Sequence, residues 1–143
     1  MRCVAARLKC VENHGDCHLG NFVIGQNQNF GLLPSPFQGQ LPIGYDLATA
    51  IWSLLQSHDT ETAIRFLKSV SSEGKVPPEL AGSLVHLIVL RCIWWIGLRC
   101  TWRKAVPFET ISLIERHLEF ALNLRVLDFQ FRNALDTTSR ECA

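Results

Sequence analysis

Between Phe22 and Tyr45 the sequence contains no aspartate and no glutamate. Magnesium and calcium favour charged carboxylate oxygens, and the amides of asparagine and glutamine bring no compensating charge. That stretch therefore holds no acidic ligand for a hard cation. An excess of positive charge is also lacking: the formal net charge is +1. This gives no electrostatic ground for nucleic acid or an acidic membrane surface as a partner. There is no Gly-rich loop of the kind that wraps phosphates, and Gly39 and Gly44 are isolated turn glycines. The six cysteines form no C-x-x-C pair and two sit in an apolar helical run, which argues against a zinc knuckle or a disulfide framework. Buried free thiols in a reducing, cytoplasmic setting are the simpler reading. The first nine residues alternate charge with apolar side chains and have no continuous apolar core, so no signal peptide is read there. Leu84 to Leu98 is apolar but short of the roughly 18 residues that span a bilayer, and it contains His86 and Arg91. No repeat and no low-complexity linker is present.

What the sequence does have is a globular balance, 48% hydrophobic and 19% charged over 143 residues, which suits a single domain with a real core. Val4, Leu8 and Val11 are spaced for the last turns of a helix over residues 2–12. Asn21 to Ile24 and Phe30 to Leu33, separated by the polar Gln26-Asn27-Gln28-Asn29, predict a β-hairpin. Helices follow over Leu47–Gln56, with Asp46 as a candidate N-cap, and from Asp59 through Val70. Ser71 to Lys75 breaks the pattern and Pro77-Pro78 restarts it. Leu84 to Leu98 predicts a helix buried on nearly all sides. In it Trp94 and Trp95, like Trp102 beyond, are weighed as core against a cleft lining, and core is preferred. Arg91, Arg99 and Arg103 share a face expected to be solvated or ion-paired. Phe108 to Leu124 predicts an amphipathic helix with Ile111, Ile114, Leu118 and Leu122 inward. Val126 to Leu135 extends or follows it, and 136–143 is a polar, frayed end.

The residues with a chemical pattern are His14-Gly15-Asp16-Cys17-His18-Leu19-Gly20-Asn21. His14, Asp16 and Asn21 stand at the H-x-D-x-x-x-x-N spacing, in which one short loop presents an acid to an acceptor hydroxyl and an amide to a metal. A zinc site built from His14, Asp16, Cys17 and His18 is the competing reading. Four ligands so close in sequence do not easily converge on one tetrahedral ion. The eight-residue string, together with Pro42-Ile43-Gly44-Tyr45-Asp46-Leu47-Ala48, resembles the catalytic loop and following segment of the aminoglycoside phosphotransferase and choline kinase superfamily, small-molecule relatives of the protein kinases.

That resemblance covers residues from about 3 to 125. It implies the helical C-terminal lobe of the protein-kinase-like fold: mainly α, with a small β-hairpin. It further implies Asp16 as catalytic base, Asn21 as magnesium ligand, His14 and His18 as loop braces, and Asp46 holding the loop backbone. Mg2+ and ATP would be the cofactors and a small-molecule hydroxyl the acceptor. Two departures stand out. The second magnesium acid of the family would fall at or beside Pro34, which is no ligand. Only thirteen residues precede His14, and none of Lys9, Lys68, Lys75 and Lys104 lies in a Val-Ala-Ile-Lys-like strand. The N-lobe is therefore expected to be absent, or supplied in trans. Two functions follow: a phosphotransferase, inactive on its own, or a non-catalytic lobe that binds a small molecule or a protein.

Overall fold

A computed structural model describes residues 8–74, 76–102 and 108–136. Among them lie four strands and four helices: β1 (Cys10–Asn13), β2 (Phe22–Ile24), β3 (Phe30–Leu32), β4 (Gly39–Pro42), α1 (Tyr45–Ser57), α2 (Thr60–Ser72), α3 (Leu84–Trp102) and α4 (Phe108–Asp136). The protein is mainly α, as its sequence predicts.

The small β part is richer than one hairpin. β2 and β3 pair antiparallel as expected, with Val23 opposite Gly31. A second two-stranded sheet joins β1 to β4, with Val11 opposite Leu41. Residues 10–13 are thus a strand and not the end of a helix, which corrects the reading of 2–12; residues 2–7 lie outside the described residues. The spacing of Val4, Leu8 and Val11 is local information, whereas β1 is fixed by a partner about thirty residues away. The pairing continues past the strand ends through Ile43 N–H donating to the Lys9 carbonyl at 2.8 Å. Tertiary pairing has overridden a helical pattern here.

α1 is the central helix, with Tyr45, Ala48, Ile51, Trp52 and Leu54 all buried. It packs against α2 and α3, and α4 packs against the same two, so the four helices enclose one core. Ala48, Ile51, Leu67, Leu84, Leu87, Ile88, Leu124 and Phe131 fill it. The N-cap of α1 is Gly44, left-handed at φ 86°, and no side chain caps the helix. A Cβ on Gly44 would lie 2.4 Å from a Leu80 methyl, so both conformation and space select glycine. Asp46 sits in the first turn and is not the cap. α2 does have a side-chain cap: Asp59 accepts from Thr62 N–H at 2.7 Å. That bond holds the exposed Asp59 carboxyl below its ordinary value.

Two helices differ from expectation in which side they bury. α3 is not buried on nearly all sides. Leu84, Leu87, Ile88, Arg91 and Cys92 face the core, while Leu90 and Ile93 are exposed. The helix runs further than the apolar stretch suggests, so Leu84–Thr101 is long and apolar enough by length and composition to cross a membrane, with mean hydropathy 1.5. One third of that window is buried, along the side that meets α1 and α4. α4 is one continuous helix through Asp136. Its core-facing positions are His117, Leu124, Phe131, Ala134 and Leu135, with Phe120 and Leu127 packed alongside. Ile111, Leu118 and Leu122 are exposed. Ile114, the fourth member of the stripe that the sequence offered as core, is half-buried; the other three face away from the core, because α4 carries apolar residues on both sides.

Candidate functional site

The loop from His14 to Asn21 bridges β1 and β2 and rests on α1, from Asp46 to Ser53. Its backbone is fastened by Asp46. One carboxylate oxygen accepts from His14 N–H at 2.7 Å, the other from Gly15 N–H at 2.9 Å. A carboxylate that accepts two backbone donors fixes the turn more firmly than a neutral acceptor does. Gly15 is left-handed, at φ 79°, and a Cβ there would lie 2.2 Å from the Phe37 carbonyl oxygen. Only glycine lets the loop pass the turn at Phe37. Further along, Ser53 Oγ of α1 accepts from Leu19 N–H at 3.1 Å.

The two histidines are oriented by their partners. His14 Nε2 lies 2.6 Å from the Leu33 carbonyl, and its Nδ1 receives the Asp16 N–H at 3.3 Å. His18 Nδ1 accepts from Gly20 N–H at 3.0 Å, and its Nε2 stands 3.5 Å from Asp16 Oδ2. Both patterns select the tautomer with the proton on Nε2. His14 thereby ties the loop to the end of the hairpin, one residue before Pro34.

Asp16 is surrounded. Asn21 Nδ2 donates to its backbone carbonyl at 2.8 Å and to Oδ2 at 3.1 Å. Arg91 of α3 donates from Nη2 to Oδ1 at 2.6 Å. The Arg91 side chain is 0% exposed and that of Asp16 16% exposed. The guanidinium carbon lies 4.4 Å from the centroid of Trp94 and 5.1 Å from that of Trp52, so the cation is held between two indole rings. Trp94 in turn meets Phe37 edge-on at 4.8 Å. Nε and Nη1 of Arg91, and Nε1 of Trp52, are buried and find no well-aligned hydrogen-bond acceptor among the described residues. Burial lifts the Tyr45 hydroxyl above its ordinary value; Arg91 opposes the rise, and Asp16 and Asp46 add to it.

The structure brings together His14, Asp16, His18, Asn21 and Asp46. Arg91, Ser53 and Tyr45 are the members that sequence reasoning missed. For Arg91 there was a signal. A lone arginine inside an apolar run enters a core only when a carboxylate meets it, and the 14–21 loop supplies one. Arg91 is the ion-paired member of the expected arginine face. Arg99 instead lies over Trp95, its guanidinium carbon 5.0 Å from the centroid, and Arg103 is outside the described residues.

Comparisons with family models, with curated proteins and with solved structures found no match for this chain. The chemistry of the site therefore rests on its own geometry.

That geometry does not suit magnesium. Asp16 Oδ1 is bonded to Arg91, and Oδ2 faces Asn21 and His18. Pro34 brings no oxygen-bearing side chain. Among the described residues no three His, Cys, Asp or Glu side chains are grouped to hold a metal ion. Octahedral coordination at about 2.0–2.1 Å needs free, hard oxygens, and a guanidinium at the same carboxylate repels a second cation.

The thiols of Cys17 and Cys92 are equally unsuited to nucleophilic work at neutral pH. Burial first, then the charges of Asp46 and Asp16, push the Cys17 thiol up to about 11 from an ordinary 9.0. Burial does the same to Cys92, also to about 11. Thiolate is the reactive form, so at pH 8 iodoacetamide is expected to modify the exposed Cys10 and Cys100 well before Cys17 and Cys92. The same shifts act on stability. Between the unfolded value of 9.0 and the folded value of about 11, the native state binds more protons than the unfolded one. Their stabilising effect is complete below pH 9.0 and lost as pH rises toward 11. Tyr45 acts in the same direction. A series of melts is expected to show Tm falling above pH 9.0, and a Tm flat up to pH 11 would contradict these shifts.

Proposed function

We propose that this chain is a phosphotransferase-like helical lobe that does not transfer phosphate by itself. The observation that carries the reading is the 14–21 loop. An Asp–Asn pair at catalytic-loop spacing lies within hydrogen-bond distance, on a backbone clamped by a carboxylate at the start of the next helix. That constellation suits a loop that presents an acid to an acceptor hydroxyl and an amide to a metal-bound phosphate. The silence follows from two local facts, Arg91 on the carboxylate and proline at position 34. Mg2+ and ATP belong to the ancestral chemistry of this reading, and a strand-rich, phosphate-covering lobe is the partner it calls for.

A second reading, a binding lobe, is favoured by the hairpin. Phe22, Val23, Ile24, Phe30, Leu32 and Leu33 all stand exposed beside the loop, in a segment without a single charged side chain. Apolar patches of that kind mark surfaces that meet another molecule.

The test is a thermal melt of the purified chain with and without Mg·ATP. A ligand of the native state at 100 times its dissociation constant stabilises by about 2.7 kcal/mol, an easily measured shift. No shift is expected, and no phosphorylated product from a panel of hydroxyl acceptors. A magnesium-dependent shift, or turnover abolished by Asp16→Asn, would overturn the silent-lobe reading.

A further inference from the structure

We propose that Arg91 is an internal cation that replaces a metal ion at the 14–21 loop: it neutralises Asp16 from within the core and keeps divalent cations out. The inference goes beyond the phosphotransferase-like reading, since it concerns the bare cation and needs no nucleotide.

The site holds the negative charges of Asp16 on the loop and Asp46 on α1. Asp46 is matched by backbone N–H groups, which leaves Asp16 needing a cation. Arg91 provides it from 75 residues away, at 2.6 Å and with no exposure to solvent. A buried guanidinium is a costly choice for a stabilising contact, because desolvating two ions offsets much of their attraction. Here the cost is deepened by Nε and Nη1, which find no well-aligned acceptor among the described residues. Trp52 and Trp94 recover part of it through their ring faces. The arrangement fits a fixed counter-ion. It sits on a rigid helix between two rings and meets one oxygen of the acid, while the other oxygen keeps the loop amide.

The charged and titratable groups facing Asp16 follow from this arrangement. Arg91 comes from α3, Asp46 and Tyr45 from α1, and His18 and Cys17 from the loop itself. Of these only Arg91 carries a fixed positive charge. Without it, the Asp16 carboxylate keeps the Asn21 amide on Oδ2 and loses the cation on Oδ1.

Arg91→Met keeps the length and apolar body of the side chain and removes the charge. The probe is Mn2+ without nucleotide, followed by its electron paramagnetic resonance signal and by the Mn2+ dependence of Tm. Arg91→Met is expected to bind Mn2+ at least about tenfold more tightly than wild type, the direction that removal of an adjacent unit charge dictates. Adding Asp16→Asn to Arg91→Met should abolish that gain. Equal Mn2+ binding with and without Arg91, or a gain that survives Asp16→Asn, would overturn the inference. A purely structural arginine would move Tm and leave Mn2+ binding unchanged.

Folding gives an independent reading. Either single change leaves one ion without its partner, whereas the double variant removes both charges, so it should melt above the Asp16→Asn single variant. Should Arg91→Met alone not fold, Arg91→Gln takes its place in the same Mn2+ titration, and equal Mn2+ binding with and without the arginine again overturns the inference. Nucleotide binding by wild type would sink the silent-lobe reading, and equal Mn2+ binding would sink this one.

Discussion

Phe131→Ala is expected to lower folding stability by about 3–5 kcal/mol, whereas Leu122→Ala leaves it within about 0.5 kcal/mol. Both are large apolar residues of α4, nine positions apart, and their surroundings differ. Phe131 is 1% exposed and packs in the common core with Leu124 and Ala134. Leu122 is 69% exposed. Truncating Phe131 removes its transfer free energy and leaves a cavity that the neighbouring helices cannot fully close. Truncating Leu122 removes contact mostly with water. For a domain whose whole stability is of order 5–15 kcal/mol, the first change consumes a large part of it. At about 2–4 °C per kcal/mol, Tm should fall by roughly 6–20 °C.

Urea unfolding of the two variants and Leu124→Ala provides the check. Leu124, 1% exposed, should behave like Phe131, at about 2–5 kcal/mol. The reverse order, with Leu122 and Leu118 costly and Phe131 cheap, would restore the sequence-derived face and rotate α4 by half a turn. Core contacts along α4 recur at steps of three and four, through His117, Phe120, Leu124, Leu127, Phe131 and Ala134. The exposed stripe Ile111, Leu118, Leu122 has almost the same spacing.

That near-degeneracy explains much of what the sequence did and did not disclose. Helical periodicity identified α4 as a helix, but a helix apolar on two sides contains two valid answers about its inner face. α3 has a related difficulty. A run with one charge in fifteen residues reads as buried all round, and nothing local shows that Leu90 and Ile93 look outward. The loop, in contrast, was legible because its chemistry is local. His14, Asp16, His18 and Asn21 lie within eight residues, and their mutual hydrogen bonds follow from the tight turn. Asp46 was found through its own short segment, although its role as an N-cap belongs to Gly44. Arg91 was legible only in part, as a lone arginine in an apolar run that calls for a carboxylate. Periodicity places it on a helix face, and only the folded chain shows that the face meets Asp16. β1 needed its partner strand in the same way.

Asp46→Ala should destabilise the protein by about 2–5 kcal/mol and loosen the loop more than the helix that bears the residue. The carboxylate accepts from His14 N–H at 2.7 Å and from Gly15 N–H at 2.9 Å. Alanine leaves both donors with no protein acceptor. Bonds to an ionised acceptor contribute about 1.5–3 kcal/mol each, and they are not strictly additive because both hold one turn. Were Asp46 only a helix-start acid, its loss would cost about 0.3–1 kcal/mol and leave the loop intact. Hydrogen exchange separates the two cases. The amides of His14 and Gly15 should lose protection in Asp46→Ala while those of Ile51 to Leu54 keep it at conditions where the protein stays folded. Asp46→Asn should fall between, since its amide has one oxygen for two donors and turns an NH2 toward the other. Gly15→Ala reaches the same turn from the other side. Its Cβ would sit 2.2 Å from the Phe37 carbonyl oxygen on a left-handed backbone, so the loop must shift to admit it. Combined with Asp46→Ala, it should add less than its single effect, because the first change has already released the backbone that the second must move. Full additivity would mean that Asp46 and Gly15 support different structures, and the loop would then lack the clamp on which its placement of Asp16 depends.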